Sequence, residues 1–216
     1  MQYNVYVCLS QVCFISFPVI DLLAALNMSR HISGLARLQS PDSVMYKLRP
    51  RAPYLTLPRE YSHFLYSNLQ GSMGVHLVGH QASGSSATLL SLSSASSPVL
   101  QIISSTLNNT LRFDYQAGGG ARGLASFHFP RRNPFSREDW VQLAVSLETD
   151  RLVFFVDCQE AVVLPIKGEE RINLELPQDS VVTLGSTPGK KDSKFSVSFL
   201  HILTTGDIFT YFHFLC

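Results

Sequence analysis

The sequence predicts an all-β fold, an antiparallel β-sandwich that opens with one short helix. Apolar and polar residues alternate in many short runs, which is the period of a half-buried strand. Turn-forming residues separate these runs, and the chain shows neither a strand–helix alternation nor an internal repeat. Because 45% of the 216 residues are hydrophobic and only 15% are charged, the chain can bury a sizeable core as a single domain.

The predicted helix lies in 20-IDLLAALNMSR-30. Asp21 can cap its N-terminus, and Leu22, Leu23 and Leu26 form an apolar stripe at helical spacing. Strands follow, among them residues 62–70 and residues 74–80. The run 118-GGGARG-123 lacks the lysine and the helix of a phosphate loop, so we interpret it as a tight turn between strands.

The clearest element is the hairpin 139-DWVQLAVSLETDRLVFFVDC-158. Apolar residues from Val141 to Leu147 occupy every second position, and Glu148-Thr149-Asp150-Arg151 forms the predicted turn. The return strand runs from Leu152 to Cys158, with Leu152, Phe154, Val156 and Cys158 on one face. A further strand, residues 160–165, follows directly.

The two ends of the chain are unusual. Residues 1–19 are apolar, aromatic and free of charge, and we predict a signal-like leader that lacks the usual basic start and cleavage site. A mis-assembled or truncated gene start and a membrane anchor are the alternatives. The domain spans 20–203. Residues 204–216 form a divergent aromatic tail, which is either a last strand or a foreign end.

Enzymatic chemistry finds little support in the sequence. The single E-x-D pair, Glu148 and Asp150, falls in the predicted turn rather than on a strand face, where a glycosidase would need its carboxylates. No nucleophile elbow and no phosphate loop occur. With a net charge of +1, the chain has no global attraction for nucleic acid. We therefore predict a protein that is not an enzyme and that uses no cofactor and no metal.

The chain has four cysteines, Cys8, Cys13, Cys158 and Cys216. They form no C-x-x-C pair, so the spacing gives no sign of a zinc site. From the pattern alone, Cys158 could be core filler, a nucleophile, a metal ligand or half of a disulfide. Asp157 and Glu160 flank it and would raise the thiol pKa, which argues against a nucleophile.

Clusters of basic residues are the candidate binding sites. Lys47, Arg49 and Arg51 have period two, so an extended chain would place them on one face, about 6.6 Å apart. Such spacing suits a sulfated glycan, although a solvated sheet face explains it equally well. The full set of candidate heparin-binding residues is Arg30, Arg37, Lys47, Arg49, Arg51, Arg131, Arg132, Lys190, Lys191 and Lys194. Asn27 and Asn108 begin N-x-[ST] sequons and are candidate glycosylation sites.

Three stretches of the sequence resemble one known family. They are the helical opening 20–38 with the strand 44–50, the aromatic stretch 58-PREYSHFLYSNLQ-70, and the pair 140-WVQLAVS-146 and 152-LVFFVDC-158, which continues to 182-VTLG-185. Over residues 20–203 the chain resembles the thrombospondin N-terminal-like domain, a laminin G-like or jelly-roll sandwich. This family occurs in thrombospondins, collagens, neural EGF-like proteins and kielin/chordin-like proteins.

The resemblance implies a secreted glycoprotein of the extracellular matrix that recognises heparan sulfate, another glycosaminoglycan or a protein partner. It implies no nucleic acid partner and no membrane insertion of the mature domain. In the family, the cysteine of the V-D-C motif pairs with one after the last strand, which here would be Cys158 with Cys216. The alternative is a module of a secreted, kielin/chordin-like regulator of BMP or TGF-β-type growth factors.

Overall fold

A computed structural model describes residues 2–9, 12–27, 35–39, 44–48, 55–68, 72–94, 97–137, 139–166, 168, 171–173, 176–184 and 195–203. Its strands are β1 (Gln2–Leu9), β2 (Val12–Asp21), β3 (Leu35–Gln39), β4 (Val44–Leu48), β5 (Leu55–Thr56), β6 (Ser72–Gln81), β7 (Ser86–Ser94), β8 (Ser97–Ser105), β9 (Thr110–Gln116), β10 (Arg122–His128), β11 (Val141–Glu148), β12 (Arg151–Val156), β13 (Gln159–Pro165), β14 (Val181–Leu184) and β15 (Phe195–Leu203). Its α-helices are α1 (Leu22–Ala25) and α2 (Arg59–Asn68).

The strands form two antiparallel sheets, which confirms the predicted β-sandwich. Sheet A has nine strands in the order β1-β2-β15-β6-β11-β12-β13, and β4 joins it through β15 and carries β3. Sheet B has six strands in the order β10-β9-β8-β7-β14-β5. Strands that are distant in sequence, such as β6 and β15, lie side by side, so the order cannot be read from the chain.

Helix α1 confirms the predicted helical opening, although it is only one turn long. Asp21 accepts hydrogen bonds from the backbone N–H groups of Leu23 and Ala24, each at 3.0 Å, as an N-cap residue does. Leu22 is fully buried. Asn27, just past the C-cap residue Leu26, has a positive φ of 51°, a conformation that asparagine tolerates better than most residues.

Helix α2 corrects the prediction of a strand at residues 62–70. The carbonyl of Pro58 accepts from the N–H of Tyr61 at 3.1 Å and starts the helix. Leu65 is fully buried and Tyr61 and Phe64 pack against the core, so the apolar contacts recur at helical spacing. The aromatic residues that favour strands elsewhere here form one face of a helix.

The hairpin of β11 and β12 confirms the clearest sequence prediction. Val145 pairs with Phe154 and Leu147 with Leu152, and the Arg151 guanidinium contacts the Glu148 carboxylate at 2.8 Å across the turn. This contact and the neighbouring Asp150 raise the pKa of Arg151. Glu148 thus stabilises the hairpin turn through this ion pair, in agreement with its predicted place there.

The return strand ends earlier than predicted, and this corrects the placement of Cys158. β12 stops at Val156, and Asp157 and Cys158 form a two-residue turn with φ values of 48° and 66° before Gln159 opens β13. Two positive φ angles are the requirement of a type I′ hairpin turn, whose twist matches that of the strands. Cys158 is therefore exposed at a loop tip and does not share the buried face of Phe154.

The core between the sheets contains an aromatic cluster. The Phe127 ring contacts the rings of Phe129 and Phe154 edge to face, with centroids 4.9 Å apart in both pairs. Phe113 lies 6.4 Å from Phe154. Edge-to-face contacts are favourable beyond the area that they bury, so this cluster ties β9 and β10 of sheet B firmly to β12 of sheet A.

Gly123 in β10 should not tolerate a side chain. It pairs with Tyr115, and a Cβ atom at Gly123 would overlap the buried Tyr115 ring. We expect Gly123→Ala to lower the free energy of unfolding by about 2 kcal/mol, the usual cost of overpacking. Urea unfolding measures this. Ala125→Gly, two residues along the same strand, is the control; an unchanged midpoint for Gly123→Ala would contradict the expected overlap.

The residues predicted as a leader form β1 and most of β2. β2 continues into the domain, where Ile20 and Asp21 pair with Ile202 and His201 of β15. Neither described helix has the length and apolar character that a membrane crossing requires. The predicted tail, residues 204–216, lies outside the described residues.

Candidate recognition surface

The outer face of β9 and β10 carries basic and polar side chains, interrupted by the exposed Leu124. On β9, every second side chain instead points into the core, namely those of Leu111, Phe113 and Tyr115. Register pairs bring Arg122 beside Gln116 and Ser126 beside Arg112. Leu124 and Asp114 form the pair between them on the same face, so the two pairs lie about 13 Å apart along the strand. We call the residues Arg112, Arg122, His128, Arg131 and Arg132 the β10 surface.

Charge is segregated onto this part of the chain. Residues 97–137 contain five arginines, Arg112, Arg122, Arg131, Arg132 and Arg137, and one acid, Asp114, which gives 5 − 1 = +4 with histidine taken as neutral. The whole chain has a net charge of +1. The remaining residues therefore sum to −3, and such asymmetry favours an anionic partner at the basic part.

Most arginines of the β10 surface are available for a ligand. Arg112 is held by Asp114 through two contacts, Nε to Oδ1 at 2.8 Å and Nη2 to Oδ2 at 2.9 Å. Within the described residues, Arg122, Arg131 and Arg132 form no ion pair, and all three are exposed. An unpaired, solvated guanidinium can offer its planar fork of donors to a sulfate or carboxylate.

The loop that carries Arg131 and Arg132 is anchored on both sides. Before it, Phe129 is buried in the aromatic cluster and its N–H donates to the Asn109 carbonyl at 2.8 Å. After it, Asn133 is fully buried. Its Nδ2 donates to Ser104 Oγ, the Ser105 carbonyl and the Thr110 carbonyl at 2.9–3.1 Å, and its Oδ1 accepts from the Phe135 N–H at 3.0 Å.

These anchors leave three residues, Pro130, Arg131 and Arg132, projecting from a fixed base. Proline restricts the backbone at the start of the projection. The loop is therefore held in place before any ligand arrives, which reduces the ordering cost of binding.

Of the other predicted cationic residues, the structure describes two and leaves six outside the described residues. Arg37 in β3 and Lys47 in β4 are both exposed, but Arg37 pairs with Tyr46 and Lys47 with Ala36. They therefore lie on opposite faces of the β3–β4 pair, in sheet A, and do not form one patch with each other. The remaining candidates, Arg30, Arg49, Arg51, Lys190, Lys191 and Lys194, lie outside the described residues.

Sequence reasoning missed Arg112, Arg122 and His128, because each is isolated in sequence. Their common signal was the alternation in β9 and β10 together with the scarcity of acids between residues 97 and 137. The predicted glycosylation sites are both exposed, Asn27 at the end of α1 and Asn108 in the β8–β9 turn. A glycan on Asn108 would stand in the turn to which Phe129 and Asn133 are bonded.

Cys158 is disulfide-bonded, so it is not a free thiol. Cys216 lies outside the described residues, and Cys158–Cys216 stays a prediction. Cys8 and Cys13 occupy opposed positions of the β1–β2 hairpin. Asp157, next to Cys158, accepts from Arg137 at 2.7 Å. Among the described residues, no three His, Cys, Asp or Glu side chains converge as metal ligands.

A scan against models of known protein families finds no match. Solved structures do share the fold. The binding domain of botulinum neurotoxin serotype G superposes with a TM-score of 0.60 at 9% identity, covering 86% of this chain and 45% of that one. The receptor-binding domain of the C/D mosaic neurotoxin gives 0.59 at 8% identity, covering 93% and 48%.

A third structure is that of botulinum neurotoxin type C, whose cell entry is described as dependent on interaction with two ganglioside molecules. It gives a TM-score of 0.52 at 10% identity and covers 99% of this chain and 50% of that one. The chain thus spans about half the length of these proteins. At such identities the likeness concerns the fold, a jelly-roll β-sandwich, which agrees with the predicted laminin G-like architecture.

Proposed function

We propose that this chain is a non-catalytic recognition module that binds a sulfated glycosaminoglycan, such as heparan sulfate, along the β10 surface. The observation that carries the proposal is the rigid display of Arg131 and Arg132 just past the end of β10, with Arg122 at the start of the same strand; none of the three forms an ion pair among the described residues. A linear polyanion that lies along β10 can meet Arg122 at one end of the strand and Arg131 and Arg132 past the other. A neurotoxin whose cell entry is described as dependent on ganglioside molecules shares this fold over about half of its length, and this likeness supports a recognition module.

The finer assignment is part of the same proposal. We infer a thrombospondin N-terminal-like module of a secreted matrix protein, with heparan sulfate or an extracellular protein as its partner. The V-D-C hairpin, with its bonded cysteine at the turn, and the exposed sequon at Asn108 support a secreted protein, because disulfides persist in oxidising compartments.

The double variant Arg131→Glu/Arg132→Glu should lose most of its retention on a heparin column. Two arginines become two acids at the projecting loop, so the local attraction turns into repulsion. At about 0.15 M salt, where charges act over about 8 Å, we expect retention of the wild-type chain and loss of retention of the variant. Salt gradient elution of the intact chain measures this.

The matched control is Arg37→Glu/Lys47→Glu, which changes net charge by the same amount in sheet A. Equal losses in both double variants would mean that net charge alone drives retention, and this would overturn the assignment of the site. Retention that persists on desulfated heparin would argue against sulfate as the recognised group.

A further inference from the structure

A cleft of about 590 Å³ opens at the opposite edge of sheet B from the β10 surface. It lies between the first turns of α2 and the turn that precedes β14. Its lining residues are Thr56, Leu57, Arg59, Ser62, His63, Gln178, Asp179, Ser180 and Val181. This volume is within the usual range of small-ligand sites, about 300–1,000 Å³.

The cleft arises where two paired strands part. Thr56 of β5 pairs with Thr183 of β14, and the Leu57 N–H donates to the Val182 carbonyl at 2.9 Å. Beyond this bond, Pro58 turns one chain into α2, while the other chain leads back from Val181 into the turn at Pro177–Ser180. The walls of the cleft therefore rest on hydrogen-bonded backbone.

One wall of the cleft carries an arginine. Arg59 and His63 are four residues apart in α2 and so lie on the same side of the helix. Arg59 is exposed and forms no ion pair within the described residues. Its guanidinium is available to bind a carboxylate through two parallel hydrogen bonds.

The facing wall offers oxygen and amide groups. Asp179 accepts from Ser94 Oγ at 2.6 Å, which fixes its carboxylate. Gln178 is exposed beside it. Ser180 is 5% exposed, and its hydroxyl has no hydrogen-bond partner among the described residues. A buried hydroxyl without a partner costs free energy that a bound polar ligand can recover.

We propose that this cleft binds one carboxylate-bearing sugar unit of the uronic acid class. The sugar carboxylate meets Arg59, its hydroxyl groups meet Asp179, Gln178 and Ser180, and its C–H face lies against Leu57 and Val181. The Asp179 carboxylate repels a multiply charged group, so a single negative charge fits better than a phosphate or a sulfate cluster. The inference does not rest on the proposed function, because the cleft and the β10 surface share no residue.

Titration of the full chain with sodium glucuronate, followed by backbone amide NMR shifts, tests the proposal. We expect saturable shifts at Thr56, His63 and Val181 with a Kd of about 1 mM, typical of one sugar unit. Glucose, which has the same ring without the carboxylate, should bind about tenfold more weakly, since it forgoes a charge-assisted pair.

The variant Arg59→Gln should weaken glucuronate binding about tenfold and leave glucose binding unchanged. Arg171→Gln, which removes an exposed arginine that belongs to neither the cleft nor the β10 surface, is the matched control and should change neither. Both arginines are exposed, so both variants should fold. Any of three results would overturn the proposal. They are equal affinity for glucose and glucuronate, an Arg59→Gln variant that binds glucuronate like the wild type, and amide shifts only at residues outside the cleft.

Discussion

Replacement of Asn133 by alanine should lower the free energy of unfolding by about 3 kcal/mol. From a fully buried position, the two Nδ2 hydrogens of Asn133 are shared among three acceptors and its Oδ1 accepts one further bond, so about three hydrogen bonds, each worth about 1 kcal/mol, are lost. Alanine leaves the Ser105 and Thr110 carbonyls and the Phe135 N–H buried without this partner. Urea unfolding, with the same slope in both proteins, measures the difference.

Asn108→Ala is the control for this change. Asn108 is exposed in the same turn region, and its backbone N–H keeps its bond to Ser105 Oγ at 3.1 Å. We expect that variant to stay within about 0.5 kcal/mol of the wild type. Comparable midpoints for Asn133→Ala and Asn108→Ala would show that the buried amide does not anchor the loop.

Asn133→Ala should also weaken heparin binding although it removes no charge. Arg131 and Arg132 would then have to be ordered on binding, at about 1 kcal/mol per side chain. Heparin affinity measured well below the unfolding midpoint should fall several-fold. A destabilised variant with full affinity would mean that the two arginines bind without the anchor.

Replacement of Cys158 by serine should cost about 4 kcal/mol if its partner is Cys216. Cys216 lies 58 positions after Cys158, and closing a loop of about that length reduces the entropy of the unfolded chain by about that amount on the chain-entropy model. Thermal or urea unfolding without reductant measures the loss, and reductant should destabilise the wild type but not the variant.

Cys216→Ser is the matched variant. Because either replacement breaks the same bond, the two single variants and the double variant should have equal stability. Peptide mass spectrometry without reduction gives the pairing directly. A Cys216→Ser variant as stable as the wild type would assign Cys158 to another partner.

The sequence predicted the fold correctly where the spacing of apolar residues fits only one kind of secondary structure. In β11 and β12 the apolar residues alternate without interruption, and only a strand buries Val145 and Phe154 in that spacing. At α1 an acidic cap precedes leucines at helical spacing. In both places local propensity and burial favour the same structure.

The errors occurred where two patterns overlap. Residues 58–68 contain aromatic residues typical of strands, but Tyr61, Phe64 and Leu65 also have helical spacing, and packing against the core decided between them. The turn at Cys158 lacks the Asn-Gly pair that usually indicates a type I′ turn, so the sequence carried no signal for it. The β10 surface depends on the register of two strands and on a buried amide, and neither can be read from a run of residues.

β10 is also the terminal strand of sheet B among the described residues. Such an edge presents unpaired backbone groups that can accept a strand from another molecule, and Leu124 on it is exposed. Arg122 stands at the start of this strand, and Arg131 and Arg132 follow its end. Like charges at both ends repel a second copy that approaches edge to edge, so the arginines of the β10 surface also protect the protein from self-association.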